Sequence, residues 1–77
     1  MKLDEKDVII ELRGNGRCLM EGIDSLEEYG ENAISVKIRG AVVRVRGKGL
    51  TMFMLSEDRL GVRGEIDSLE FGGENET

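Results

Sequence analysis

The acidic residues are the first candidates for chemistry in this chain, because Asp24, Glu27, Glu28 and Glu31 fall within eight positions. Two carboxylates held together can pass a proton, one as acid and one as base, and several can hold a hard cation. The context supports neither use. The chain has no histidine, and a calcium loop of the EF-hand kind needs alternate acids, a central glycine and a closing glutamate, an order that is absent. The cluster reads as a solvated edge. Cys18 is the one thiol. With Arg17 as its only adjacent cation and no imidazole to take its proton, it should be a protonated, buried side chain. One cysteine without histidine also leaves no transition-metal set. Gly14-Asn15-Gly16 and Gly47-Lys48-Gly49 look like phosphate-cradling loops, but such loops open a helix, and here strands should follow. No catalytic residue, cofactor or metal ligand is assigned, and the inventory argues against an enzyme.

The strongest functional pattern is one of charge. The net charge is -5, yet no Asp or Glu lies between Asn32 and Ser56, so that segment is +5 and its flanks together -10. The candidate partner-binding residues are its bases Lys37, Arg39, Arg44, Arg46 and Lys48, with Phe53 on the strand that follows. Three sources of balancing charge are open: the chain's own acids, such as Glu27 or Glu28; an acidic surface on another copy or a partner; and nucleic acid or an anionic lipid surface. Nucleic acid is disfavoured, since Tyr29, Phe53 and Phe71 do not interleave with the bases as stacking platforms should.

These residues need a frame, and 77 residues give room for one domain with one small core. A core of that size nearly breaks even against conformational entropy, so self-association is a live expectation. Nothing at the start (Met1, Lys2, Leu3, Asp4, Glu5, Lys6) resembles a secretion signal, and a single cysteine suits a reducing cytoplasm. No apolar run is long enough to span a bilayer, which leaves peripheral membrane contact at most.

Alternation, β-branched residues and eleven closely spaced glycines predict an all-β fold. The expectation is a small antiparallel meander forming a twisted sheet, sandwich or roll of roughly six to eight short strands, with 1–6 and 72–77 frayed. Strand one is Asp7 to Arg13, and the Gly14-Asn15-Gly16 turn folds Arg17 to Ile23 back on it. The basic hairpin runs from Ala33 to Arg39, turns at Gly40-Ala41 and returns from Val42 to Gly47. That register sets Ile38 opposite Val43, Val36 opposite Val45 and Lys37 opposite Arg44, the last a like-charge pair costing roughly 0.2 to 1 kcal/mol. Leu50 to Leu55 is apolar on both faces, so it should be a central strand or meet a partner. Arg59 to Gly64 and Ile66 to Phe71 follow. The expected core is Val8, Ile10, Leu12, Val36, Ile38, Val43, Val45, Met52 and Val62.

Ile-Asp-Ser-Leu-Glu occurs twice, at Ile23 to Glu27 and Ile66 to Glu70, a 43-residue offset that suggests one short unit used twice. The first copy has two readings. Ile23, Leu26 and Tyr29 are spaced by three with Asp24 at a capping position, which fits a helical turn, while the second copy, ending in Phe71, favours strand.

The order and spacing of several pieces resemble the YabP/YqfC family of sporulation proteins, the YqfC branch more than YabP. They are the hairpin Gly14 to Gly16, the stretch Met20 to Gly30, the Ile38-Arg39-Gly40 turn, Val45-Arg46-Gly47-Lys48-Gly49-Leu50-Thr51-Met52, and Val62-Arg63-Gly64-Glu65-Ile66. The resemblance covers nearly the whole chain. It implies a small β-rich protein of the mother-cell compartment of an endospore-forming bacterium, associated with spore development, with no known enzymatic activity and no catalytic residues to carry over. Together with the charge pattern it gives the working expectation: a non-catalytic sporulation protein that binds itself or another sporulation protein. The alternative is a peripheral anionic-lipid or nucleic-acid binder using the hairpin 37–48.

Overall fold

The computed structural model describes residues 8–72. All of its regular structure is strand: β1 (Ile9–Arg13), β2 (Arg17–Glu21), β3 (Ser25–Tyr29), β4 (Ala33–Ile38), β5 (Ala41–Leu55) and β6 (Arg59–Gly72). They form one antiparallel sheet in the order β1-β2-β6-β5-β4-β3. The expected frayed ends lie outside the described residues, apart from Gly72, which closes β6.

Two strands are far longer than the sequence suggested. Gly47-Lys48-Gly49 and Gly64-Glu65 do not separate short strands but bend continuous ones, and the β5–β6 ladder shifts register between Arg46 and Gly47 and again between Lys48 and Thr51. Each long strand therefore serves two half-sheets. The first half of β5 lies between β4 and the second half of β6. The first half of β6 lies between β2 and the second half of β5. Residues 48–55 pair with β6 alone, so the expectation of a central strand at Leu50 to Leu55 is corrected: this stretch borders its half-sheet.

The bend has steric requirements. A Cβ on Gly47 would overlap the carbonyl oxygen of Glu65, and Gly64 sits at φ 138°, where side chains are rarely accommodated. Turn carbonyls then pin the bent segments. The Gly47 and Leu50 amides donate to Asn32 and Glu31 at 3.0 and 2.9 Å, and the Gly64 and Ile66 amides donate to Gly16 and Asn15 at 3.1 and 2.9 Å. These bonds satisfy amides that have left the regular ladder.

Bending closes the concave face on one core. Cys18 and Met20 from β2, Ile34 and Val36 from β4, Val45 and Leu50 from β5, and Leu60 and Val62 from β6 are fully buried, with Ile23, Ile38, Val43 and Ile66 beside them. Of the expected core, Val36, Ile38, Val43, Val45 and Val62 are buried, while Ile10 and Met52 pack against its margin. Val8 and Leu12 are corrections: β1 is an edge strand that overhangs the core, and both are exposed. Cys18 is buried as expected, and burial pushes its thiol up to about 11. A thiol that binds its proton more tightly when folded contributes stability that is intact below its unfolded pKa and lost as pH rises through the folded one. Resistance to urea unfolding is therefore expected to weaken between pH 9 and about 11, and Cys18→Val should remove that slope.

The basic hairpin keeps its predicted faces but not its register. The turn is Arg39-Gly40, with φ 53° and 82°, so Ile38 pairs with Ala41, Lys37 with Val42, Val36 with Val43 and Ser35 with Arg44. Positive φ at both positions matches the twist of a two-residue hairpin. The like-charge pair of Lys37 with Arg44 does not exist. The helical-turn reading of 23–29 is also overturned, since Ser25–Tyr29 is strand. Leu26 and Tyr29, three apart, pair with Val36 and Ile34 and so take the same face of the sheet, because the ladder shifts between Leu26 and Glu28. A second shift leaves Asp67 unpaired and gives Ile66 and Leu69 the same spacing. A β-bulge imitates helical periodicity in both copies of the repeat.

Candidate interaction surface

The two copies of the repeat become the two edges of one half-sheet, with the basic hairpin between them. Across it, Glu28, Ser35, Arg44 and Glu70 fall in register on β3, β4, β5 and β6. Arg44 Nε lies 3.5 Å from Glu28 Oε1, an ion-pair contact without hydrogen-bond geometry, and the Ser35 hydroxyl donates to the same carboxylate oxygen at 3.3 Å. Arg46 Nε donates to Glu70 Oε2 at 2.9 Å. Such half-exposed pairs contribute about 0 to 1 kcal/mol each, but they hold the hairpin's arginines against its own frame.

The other expected contact residues are spread out. Lys48 stands at the bend opposite Glu65. Lys37 pairs with Ser25 on one side and Val42 on the other. Asp24 reaches the hairpin tip, where its Oδ2 accepts from the Arg39 amide at 2.9 Å. The acids considered for catalysis are likewise used locally, Glu27 accepting from the Ser25 hydroxyl at 2.6 Å. Among the described residues no cluster of three or more His, Cys, Asp or Glu is placed to hold a metal ion.

Phe53 does not join this group. It lies in the other half-sheet, where the β5–β6 ladder shifts between Met52 and Met54 and the ring settles over Gly61. A Cβ on Gly61 would meet the ring at 2.7 Å, so only glycine leaves it room. Two guanidinium groups flank the ring, Arg17 at 5.5 Å and Arg63 at 5.1 Å from its centroid. Both distances are within cation–π range. Arg13, Arg17 and Arg63 pair in sequence across β1, β2 and β6, forming one row. Arg13 has Glu11 at 3.3 Å, and Arg59, further along the same half-sheet, has Glu21 at 3.7 Å. Arg17 and Arg63 have no carboxylate partner among the described residues. Sequence reasoning missed both, because they lie outside the acid-free segment and are 46 positions apart. The visible trace is Val62-Arg63-Gly64, a piece that carries the family resemblance but lies among acids in sequence.

Each half-sheet also exposes an apolar side chain. Leu55, in the same half-sheet as Phe53, is 53% exposed on the stretch of β5 that has no strand on its outer side, and Tyr29, in the other, is 54% exposed at the end of β3. No helix among the described residues is long and apolar enough to cross a membrane.

A small all-β domain of one bent, open sheet is thus the class that fold and surface define. The family model of the YabP family matches residues 4–77, and the chain belongs to that family. Comparison with curated proteins and with solved structures gave no significant match.

Proposed function

We propose that this chain is a non-catalytic protein of spore formation, acting in the cytoplasm of the mother cell by binding itself or another sporulation protein. Family membership supports the sporulation setting. The binding mode rests on one observation: the bordering stretch of β5 presents Phe53 and Leu55 to solvent on a strand with one neighbour. Unpaired strand edges and exposed aromatic side chains are features of protein contact surfaces.

The alternative of an anionic-lipid or nucleic-acid surface on 37–48 is weaker, because Arg44 and Arg46 already face Glu28 and Glu70. Two measurements test the preferred reading. Disrupting the gene in its host should lower the yield of heat-resistant spores, and the purified chain should either sediment above monomer mass or capture a defined partner from sporulating cells. Normal spore yield, or a strict monomer that captures nothing, would remove the proposal.

A further inference from the structure

We infer that the Arg17–Phe53–Arg63 face receives the acidic β3 edge and turn of a second copy, around Glu27 and Glu31, in a head-to-tail contact. This deepens the proposed function by naming the partner and the residues of self-binding. Arg13, Arg44, Arg46 and Arg59 each have a carboxylate of this chain within 4 Å. Among the described residues Arg17 and Arg63 have none, although they are neighbours in the ladder and acids outnumber bases 16 to 11. Like charges placed directly opposite one another are unfavourable. Both guanidinium groups lie over the ring of Phe53, and all three residues are exposed.

The matching deficit is on the other half-sheet. Glu28 is used by Arg44, but Glu27 accepts only from Ser25, and Glu31 contributes its backbone carbonyl to Leu50 while its side chain is in no ion pair. Tyr29 lies between them, exposed. Glu27 on β3 and Glu31 in the turn that follows it are both exposed acids at one end of that edge, complementary in charge to the Arg17–Arg63 pair. One contact would then balance both deficits. The donor and acceptor surfaces differ, so each copy keeps one of each free, and association runs on in a chain unless its rotation closes a ring.

The experiment is a charge swap read by sedimentation at low salt. Wild-type protein should self-associate with concentration, and added salt should weaken it. Arg17→Gln with Arg63→Gln should raise the dissociation constant at least about tenfold, the loss of roughly one charged contact. Arg17→Glu with Arg63→Glu, and separately Glu27→Lys with Glu31→Lys, should each be monomeric alone. Mixed in equal amounts they should associate again, since each reversed surface meets its complement. All four side chains are exposed, and circular dichroism confirms folding. Should a reversed variant fail to fold, the Nε signals of Arg17 and Arg63 in the wild-type protein decide the question by NMR: they must shift with protein concentration.

A monomeric wild type, variants that associate like wild type, or folded variants that stay apart on mixing would overturn the inference. A monomer that still captures a sporulation partner would end this inference and leave the proposed function standing. Self-association through this face with normal spore yield would do the reverse.

Discussion

Gly47→Ala is expected to lower the unfolding free energy by about 3 kcal/mol, the upper end of the usual cost of overpacking. The added methyl group would overlap the Glu65 carbonyl and press on the Ile66 Cα, both parts of the opposite strand's backbone. No side chain can rotate to make room, so the β5–β6 ribbon itself must separate. The bend would loosen, and with it the bonds from the Gly47 and Leu50 amides to Asn32 and Glu31. For a domain of this size the melting temperature should fall by about 12 to 24 °C. Gly72→Ala is the control: it has open space and no positive φ, and thermal unfolding should barely register it. Equal melting temperatures for the two variants would show that the close approach at Gly47 is not a constraint.

The second large effect belongs to Leu60. It is fully buried, paired directly with Met20 on one side and Leu55 on the other. Leu60→Ala removes side-chain volume from the core, and strands on both flanks limit collapse into the space. A loss of about 3 kcal/mol is expected in urea unfolding, within the range for buried leucine truncation. Leu60→Met, which keeps the volume, should cost less than about 1.5 kcal/mol. Similar losses from both would mean that shape at this position outweighs volume. A domain this small has roughly 4 to 12 kcal/mol in total, so the alanine variant should be visibly unfolded at growth temperature if stability lies at the low end.

Much of the fold was legible because side-chain parity is robust. Val36, Ile38, Val43 and Val45 fell on the buried face as expected, since moving the turn from Gly40-Ala41 to Arg39-Gly40 shifts each partner by two and preserves the faces. The register itself was illegible because it depended on Arg39 accepting a left-handed conformation, which its residue type does not advertise. Glycines were ambiguous in the same way. Gly47 and Gly64 carry the composition of turns, yet they bend strands, and only the opposing backbone reveals it. Val8 and Leu12 misled by their alternation, which says which face a residue takes but not whether the core extends beneath it. The site was less readable than the fold. Phe53 was chosen for exposure on an apolar strand, but its companions Arg17 and Arg63 come from other strands and are brought together by ladder register alone.

The bent strands β5 and β6 have a mechanical consequence. Because each belongs to both half-sheets, no line can be drawn across the molecule that separates one half from the other without cutting a strand. The hairpin β1–β2 and the hairpin β3–β4 are local in sequence, and each closes its outer turn onto the shared ribbon. Tension applied at either free edge is delivered through that ribbon to the far side. If copies are joined edge to face, a strand of them would bear load as a series of single cooperative links, with no weak seam inside any link.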